Sequence, residues 1–292
     1  MKSVARNNGF WQDDRYRQWR HNKLRFYPQS VAEICVPINA LLEVTAAQKV
    51  AIGKACGRAN MAIYQCRDAS VARASIIAFA AQFGLTRPDH HLCANADGVA
   101  ELSVAHDGVR SGYVPYSNSS LSWHTDGYYN DPDHQVNAVV LHCAQSAPSG
   151  GENALLDQEL AYIRLRDENP GFITAFEHPE CMTIPANTAG GTESRPALSG
   201  PVFSYGARGQ LHMRYSARRK NIRWRDDPLT TAARDFLSGL LNDKNGPVLR
   251  YRLQAGEGLI SNNVLHDRTA FSDGQDQRRL LYRARFFDRI KL

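Results

Sequence analysis

Leu121-Ser122-Trp123-His124-Thr125-Asp126-Gly127-Tyr128-Tyr129 carries a His-x-Asp pair, His124 and Asp126. Along a strand, alternate residues share a face, so positions i and i+2 point the same way. One imidazole nitrogen and one carboxylate oxygen can then reach one metal ion from a single strand. A third ligand has to come from elsewhere. The stretch Asn263-Val264-Leu265-His266-Asp267-Arg268-Thr269-Ala270-Phe271 offers His266. Two imidazoles and a carboxylate on one face of an octahedron leave three positions open. That donor set suits Fe(II) in O2-using oxygenases.

Two more pieces stand in line with these. Gly150-Gly151-Glu152-Asn153 follows a Pro-Ser turn, and Arg278-Arg279-Leu280-Leu281-Tyr282-Arg283 follows His266. Arg279 and Arg283 are four apart and share one face of a strand; Arg278 faces the other way. Two guanidinium forks near the distal histidine can each hold a carboxylate bidentately.

Taken in order, the Trp123–Asp126 motif, the Gly-Gly-Glu-Asn turn, the His266 segment and the arginine cluster resemble a known family. It is the iron(II)/2-oxoglutarate-dependent dioxygenases of the TauD/TfdA (taurine dioxygenase) superfamily, which includes the γ-butyrobetaine hydroxylases. The resemblance runs from roughly residue 98 to the last residue. It implies a mainly β fold, a double-stranded β-helix (jelly-roll) core. It implies Fe(II) on His124, Asp126 and His266, with 2-oxoglutarate and O2 as cosubstrates. The far carboxylate of 2-oxoglutarate would sit on Arg279, assisted by Asn153 where taurine dioxygenase-like members carry Thr. Arg283 would serve the cosubstrate, as in some members, or an anionic substrate, as in others.

The chemistry implied is oxidation of an unactivated C–H bond of a small molecule, with release of succinate and CO2. Hydroxylation is the default outcome, and desaturation or ring formation stays open. Asp126 argues against halogenation, because halogenating relatives lose that carboxylate. Departures bear on the substrate. Taurine-binding members place an Asn four residues before the first His, where this chain has Ser120. The His and Tyr that hold a sulfonate have no clear match around Arg87 to His91. Taurine is therefore not expected.

The chain has 292 residues, 43% of them hydrophobic, with a net charge of +6. That length supports one large core, read here as a single domain. A mainly helical part is expected over 1–97 and a β core from about 98 onward. No apolar run is long enough for a membrane span, and the polar first twenty residues read as no signal peptide. Six cysteines without CxxC spacing read as reduced thiols in the cytoplasm. The mild positive charge favours anionic ligands but is no nucleic-acid signature. Arg and aromatics from Trp11 to Arg20 read as an amphipathic lead-in that packs on the core rather than a nucleic-acid arm. Whether the chain forms a homo-oligomer is left open.

Thr45-Ala46-Ala47-Gln48 is a capping box opening a helix to about Ala62. An Ala-rich helix is expected over Ser70 to Gln82, stopped at Gly84. Both are read as buttresses for the sheet. Alternation over Val99 to Ala105 predicts a strand, and Asp107-Gly108 a hairpin turn. Further strands are expected over 135–143, 202–205, 211–215, 248–253, 258–262 and 280–287. Helices are expected over 157–168 and 228–241. Many short strands with few helices point to a barrel-like or jelly-roll core.

Other histidines carry less. His178-Pro179-Glu180 is a competing His-x-Glu, but Pro179 removes a donor from any central strand. His90 and His91 face opposite ways on a strand and do not chelate together; they read first as surface residues, with a substrate or loop role as the alternative. Tyr113, Tyr116, Tyr128 and Tyr129 could cage an ammonium group or simply pack. A spare inward guanidinium is costly without an anion, so an anionic substrate on Arg283 or Arg214 is expected, with a cationic substrate in a tyrosine cage as rival. Asn187 to Thr192 reads as a lid. Readings of other classes are a cupin-like metal protein that does not use 2-oxoglutarate, and a nucleic-acid-associated demethylase.

Overall fold

Continuous buried runs mark the strands inside the larger sheet around Met61–Cys66, Glu257–Ser261 and Ala138–Gln145. Met61, Ala62, Ile63 and Tyr64 in succession are almost wholly shielded from solvent, as a strand covered on both faces requires. The computed structural model describes residues 13–67, 71–187, 195–218 and 222–291. Its larger sheet has six strands in the order Cys35–Ile38, Met61–Cys66, Glu257–Ser261, Ala138–Gln145, Leu280–Phe286 and Val99–Leu102. The first pair is parallel and the remaining pairs are antiparallel. A four-stranded antiparallel sheet runs Leu249–Tyr251, Asn153–Leu156, Leu265–Arg268, Leu121–His124. The fold is mainly β with helices packed around it, as expected.

The helix after Thr45 forms as predicted, with both capping-box bonds present. It ends at Ala59, because Asn60 turns left-handed at φ 55° and closes it. Ala62 therefore lies in a strand, not in the helix. A short apolar run cannot be told from a buried helix turn by periodicity alone. This corrects the division at residue 97: two strands of the larger sheet, Cys35–Ile38 and Met61–Cys66, come from the part read as mainly helical. Helices Ala46–Ala59 and Ser75–Ala81 do pack on that sheet. The latter starts later than predicted; residues 68–70 lie outside the described residues.

Asp107-Gly108 makes no hairpin. Gly108, at φ 68°, opens the 3-10 turn Val109–Gly112, and the chain crosses to the smaller sheet at Leu121. Helix Asp13–Phe26 carries the aromatic lead-in. Tyr16 is buried, Trp19 packs edge-on against Tyr162, and Lys23 is ion-paired with Asp157 and Glu159 at 2.5 and 2.7 Å. Breaking a buried pair of this kind is strongly destabilising. Trp11 and the lid reading of Asn187 to Thr192 fall on or run into residues outside those described. Among the described residues, no helix is long and apolar enough to cross a membrane.

Candidate metal centre and cosubstrate cavity

The two histidines meet across a strand pair. His266 on Leu265–Arg268 is the register partner of His124 on Leu121–His124, and their ring centroids lie 4.2 Å apart. Each Nδ1 faces the carbonyl two residues back: Ser122 O for His124 and Val264 O for His266, both at 2.9 Å. A carbonyl only accepts, so Nδ1 carries the proton and donates. Each Nε2 then keeps its lone pair for a metal.

The strand stops at His124 and does not run through Asp126, as the alternation argument required. Asn263 does the positioning instead. Its Oδ1 accepts from Asp126 N at 2.8 Å, and its Nδ2 donates to Asp126 O at 2.9 Å and Val136 O at 2.7 Å. Asn263 sits at φ 53°, a left-handed conformation that Asn tolerates better than most residues. Gly127 follows at φ +66°, where a Cβ would come 2.4 Å from Val136 Cγ2. One ligand atom each from His124, Asp126 and His266 then falls within 4.8 Å of the others.

The two oxygens of Asp126 have different surroundings. Oδ1 accepts from Arg283 Nη1 at 2.9 Å, with Arg285 Nη1 at 3.9 Å. Oδ2 lies 4.0 Å from His266 Nε2 and, among the described residues, is buried with no hydrogen-bond partner. Burial pushes the Asp126 carboxyl up, but Arg283 and the other cations around it outweigh burial and hold it well below the usual range. Burial first, then His266, pushes His124 down to about 3. An ionised carboxylate and a neutral imidazole are the protonation states a metal ligand needs. A buried carboxylate oxygen beside two imidazole nitrogens with free lone pairs is a donor set that can hold a cation.

A cavity opens from this cluster between the two sheets. Ile63, Val139 and Leu141 line it from the larger sheet, and Leu121 and Leu155 from the smaller. Asp126, His266, Asn153, Arg279 and Arg283 supply its polar groups. The register shifts between Leu280 and Leu281, yet Arg279 and Arg283 still face the same cavity. Arg278 is exposed, as expected. Arg279 is 4% exposed, stacks over Phe271 at 4.9 Å, and has no ion pair among the described residues. Burial pushes its pKa down to about 10. A buried guanidinium with no anion fits a carboxylate ligand. Asn153 Nδ2 gives one hydrogen to Asp267 O at 3.0 Å. Its second N–H remains, and its Oδ1 is unpartnered.

Three expectations change. Arg283 is not spare, because Asp126 meets it. Arg214 does not reach a substrate: it is buried and donates to the carbonyls of Tyr128, Met182, Gly200 and Leu198. The tyrosines form no common cage. Tyr116 is buried and donates to Cys93 O, Tyr129 accepts from Arg285, and Tyr113 is exposed. Tyr128 packs edge-on against His124. His178 and Glu180 stay outside the cluster, in a turn where Glu180 N donates to His178 Nδ1.

Sequence reasoning missed Asn263, Arg268 and His91. Arg268 lines the cavity and donates to the carbonyls of Pro115, Ser117 and Ser119, pinning the loop that leads to His124. His91, expected at the surface, is only partly exposed. Burial, then Arg285 and Arg283, push it down to about 3. No spacing rule marks Asn263 or Arg268, because their partners are distant in sequence; the side-chain hydrogen bond of His91 is local, from Cys93 N, and only the cations acting on it are distant.

A family model described as "Taurine catabolism dioxygenase TauD, TfdA family" matches residues 64–285. Among solved structures, an asparagine oxygenase with Fe(II), 2S,3S-3-hydroxyasparagine and succinate is similar at 16% identity and TM-score 0.60. The match covers 87% of this chain and 93% of that one. A taurine dioxygenase from Burkholderia xenovorans matches at 17% identity and TM-score 0.57, covering 89% of each chain. The non-heme iron oxygenase OrfP matches at 16% and 0.59, covering 83% of this chain and 80% of that one.

Proposed function

The chain belongs to the TauD, TfdA family and is a 2-oxoglutarate-dependent dioxygenase that uses iron(II) and O2; on that premise we propose that His124, Asp126 and His266 hold the metal. The observation that carries this reading is the buried, unpartnered Asp126 Oδ2 beside two histidines whose Nδ1 protons are already given to backbone carbonyls. We read the two sheets as the halves of a double-stranded β-helix and residues 1–292 as one domain. The family match and the coverage of the similar structures support this. Six free cysteines suit a reducing compartment such as the cytoplasm.

Bound iron, with 2-oxoglutarate and O2, supplies the oxidising chemistry that converts the cosubstrate to succinate and CO2 and oxidises a substrate C–H bond. The chain's own residues position and shield. Arg279 receives the far carboxylate of 2-oxoglutarate in a water-poor cavity, where a charge-assisted pair is strongest. Asn153 offers its remaining N–H at the same end. Arg283 occupies Asp126 Oδ1 and so leaves Oδ2 as the ligand oxygen. The aliphatic walls keep water from the reacting centre.

The substrate is a small molecule, hydroxylated at an unactivated carbon. The ligands named with the similar structures, 3-hydroxyasparagine and (3S)-hydroxy-L-Arg, are of that size. With Arg283 met by Asp126 and Arg214 by carbonyls, the case for an anionic substrate loses both of its named contacts and keeps only the positive charge of the chain. The test is anaerobic addition of 2-oxoglutarate to the iron-loaded protein, followed by visible absorption. A weak charge-transfer band is expected in the wild type and not in His124→Ala or His266→Ala. A band of wild-type strength in those variants would remove them from the metal site.

A further inference from the structure

Behind Arg279 lies a second, smaller pocket. Arg279, Asn153 and Leu253 form the wall it shares with the cosubstrate cavity. On its other sides stand Arg252, Gly150, Gly151 and Ser146. Gly150 is exposed and Ser146 half-buried, so the pocket faces solvent.

Its charge is one-sided. Arg252 Nη2 donates to Ala147 O, and Arg252 Nε is buried without a partner. Among the described residues, no carboxylate lies within ion-pair distance of either guanidinium. Asp273, the acidic residue nearest in influence, spends an oxygen on Arg279 N at 2.8 Å. Burial raises the Cys143 thiol to about 11; Arg279 and Arg252 pull it down, and Glu257 pushes it up.

The backbone keeps the space open. Gly151 has φ +76°, and a Cβ there would come 3.3 Å from Arg279 Nε. At Gly150, φ +71°, a Cβ would come 2.1 Å from Ala270 O. A side chain at either position would be strained; at Gly151 it would crowd Arg279, and at Gly150 it would meet the Ala270 carbonyl.

We propose that this pocket is an anion site. A small oxyanion, carboxylate or inorganic, sits between Arg252 and Arg279 and competes with 2-oxoglutarate for the shared guanidinium. The competition rests on the placing of the cosubstrate on Arg279; the site itself does not.

The test uses sulfate as probe on the full chain. Sulfate is titrated into metal-free, cosubstrate-free protein at constant ionic strength, and binding is read by calorimetry and by the unfolding midpoint. Saturable binding is expected. Arg252→Met should weaken it about tenfold, the loss of one charge-assisted partner, and Arg252→Lys should keep part of it. The sulfate-free unfolding curve of each variant checks that it folds. A response that does not saturate, or that is unchanged in Arg252→Met, overturns the site. In a second arm, the apparent Kd of iron-loaded protein for 2-oxoglutarate should rise with sulfate in the wild type. If sulfate binds through Arg252 but leaves 2-oxoglutarate binding untouched, the anion site stands and the placing of the cosubstrate on Arg279 falls.

Discussion

Arg283 Nη1 donates to Asp126 Oδ1 at 2.9 Å, so this guanidinium already has its anion. The pair divides the carboxylate: one oxygen to the arginine, the other toward His266. Arg283→Met should therefore act on the metal. Without the guanidinium, burial is opposed by fewer cations and the Asp126 carboxyl titrates higher. The wild-type pKa is depressed, so its contribution to stability is fully present above the unfolded carboxylate value of about 3.9 and is lost as the pH falls from there through the depressed folded value. In the variant that contribution shrinks, and the buried carboxylate loses its partner at about 3–5 kcal/mol. Iron affinity, measured by anaerobic titration, should fall, and fall more at pH 6 than at pH 8. Unchanged iron affinity with a raised substrate KM alone would return Arg283 to the substrate.

Asn263 is the second point at which the site can be loosened without touching a ligand. It ties Asp126 N and O and Val136 O with one amide. Asn263→Ala removes all three bonds and leaves buried backbone groups unpaired, each at about 1–3 kcal/mol. Stability should fall by several kcal/mol on chemical denaturation. Because metal-ligand supports of this kind typically contribute 10–100-fold, iron should bind at least tenfold more weakly. Asn263→Asp should keep the acceptor to Asp126 N but lose both donors, giving an intermediate effect. Equal iron affinity in all three proteins would mean that the amide only supports the fold.

The legible part of this molecule is local. His124 and Asp126 are two apart, the capping box at Thr45 is four residues long, and Arg279 follows His266 by a short interval. Each could be read from neighbours in the chain. What escaped depends on distant partners. The pairing of Arg283 with Asp126 spans 157 positions and that of Asn263 with Asp126 spans 137. Strand Met61–Cys66 escaped because a run buried on both faces has no period. Arg214 misled for a related reason. An arginine on a short strand before a basic run looks available, and only tertiary structure shows the four carbonyls around it.

Arg214 therefore makes a clean contrast with the cavity arginines. Its guanidinium holds Tyr128 O, just past the metal motif, to the strands Met182–Ile184 and Leu198–Gly200. Burial pushes its pKa down to about 10, because carbonyls offset only part of what an anion would. Arg214→Met should destabilise the fold by about 2–4 kcal/mol, through carbonyls left unpaired. Measured at a temperature where the variant is folded, KM for substrate and cosubstrate should move little. A large rise in substrate KM without loss of stability would place Arg214 in the site after all.

His142 gives the fold a pH dependence of its own. It is fully buried beside Tyr64, whose hydroxyl lies 3.2 Å from Nδ1, and Nε2 has no partner among the described residues. Burial lowers its pKa from 6.5 to about 4. Above 6.5 the folded and unfolded chains are both neutral at this residue. Between 6.5 and about 4 the unfolded chain binds a proton that the folded chain does not, so stability falls with pH. The loss is on the order of 3 kcal/mol across that window. His142→Gln should flatten this part of the stability profile in urea. An unaltered profile would assign the acid sensitivity to other groups.

Arg279 is the residue on which the cosubstrate reading depends. It is the cavity arginine with neither an ion pair nor backbone carbonyls around its guanidinium among the described residues; Arg268 has carbonyls and Arg283 has Asp126. Arg279→Gln keeps a donor but removes the charge and the fork. A carboxylate brought into this cavity then goes unpaired, which costs several kcal/mol. The 2-oxoglutarate requirement should rise roughly a hundredfold or more. Metal affinity should stay near wild type, because Arg279 touches no ligand. The two responses separate the roles: a variant that loses iron has damaged the centre, and a variant that loses only 2-oxoglutarate has lost its anchor. Removing a buried, unpaired cation should also leave the cosubstrate-free protein as stable as the wild type or more so. If 2-oxoglutarate dependence were unchanged, Arg279 would leave the site, and the cavity would need another anion partner.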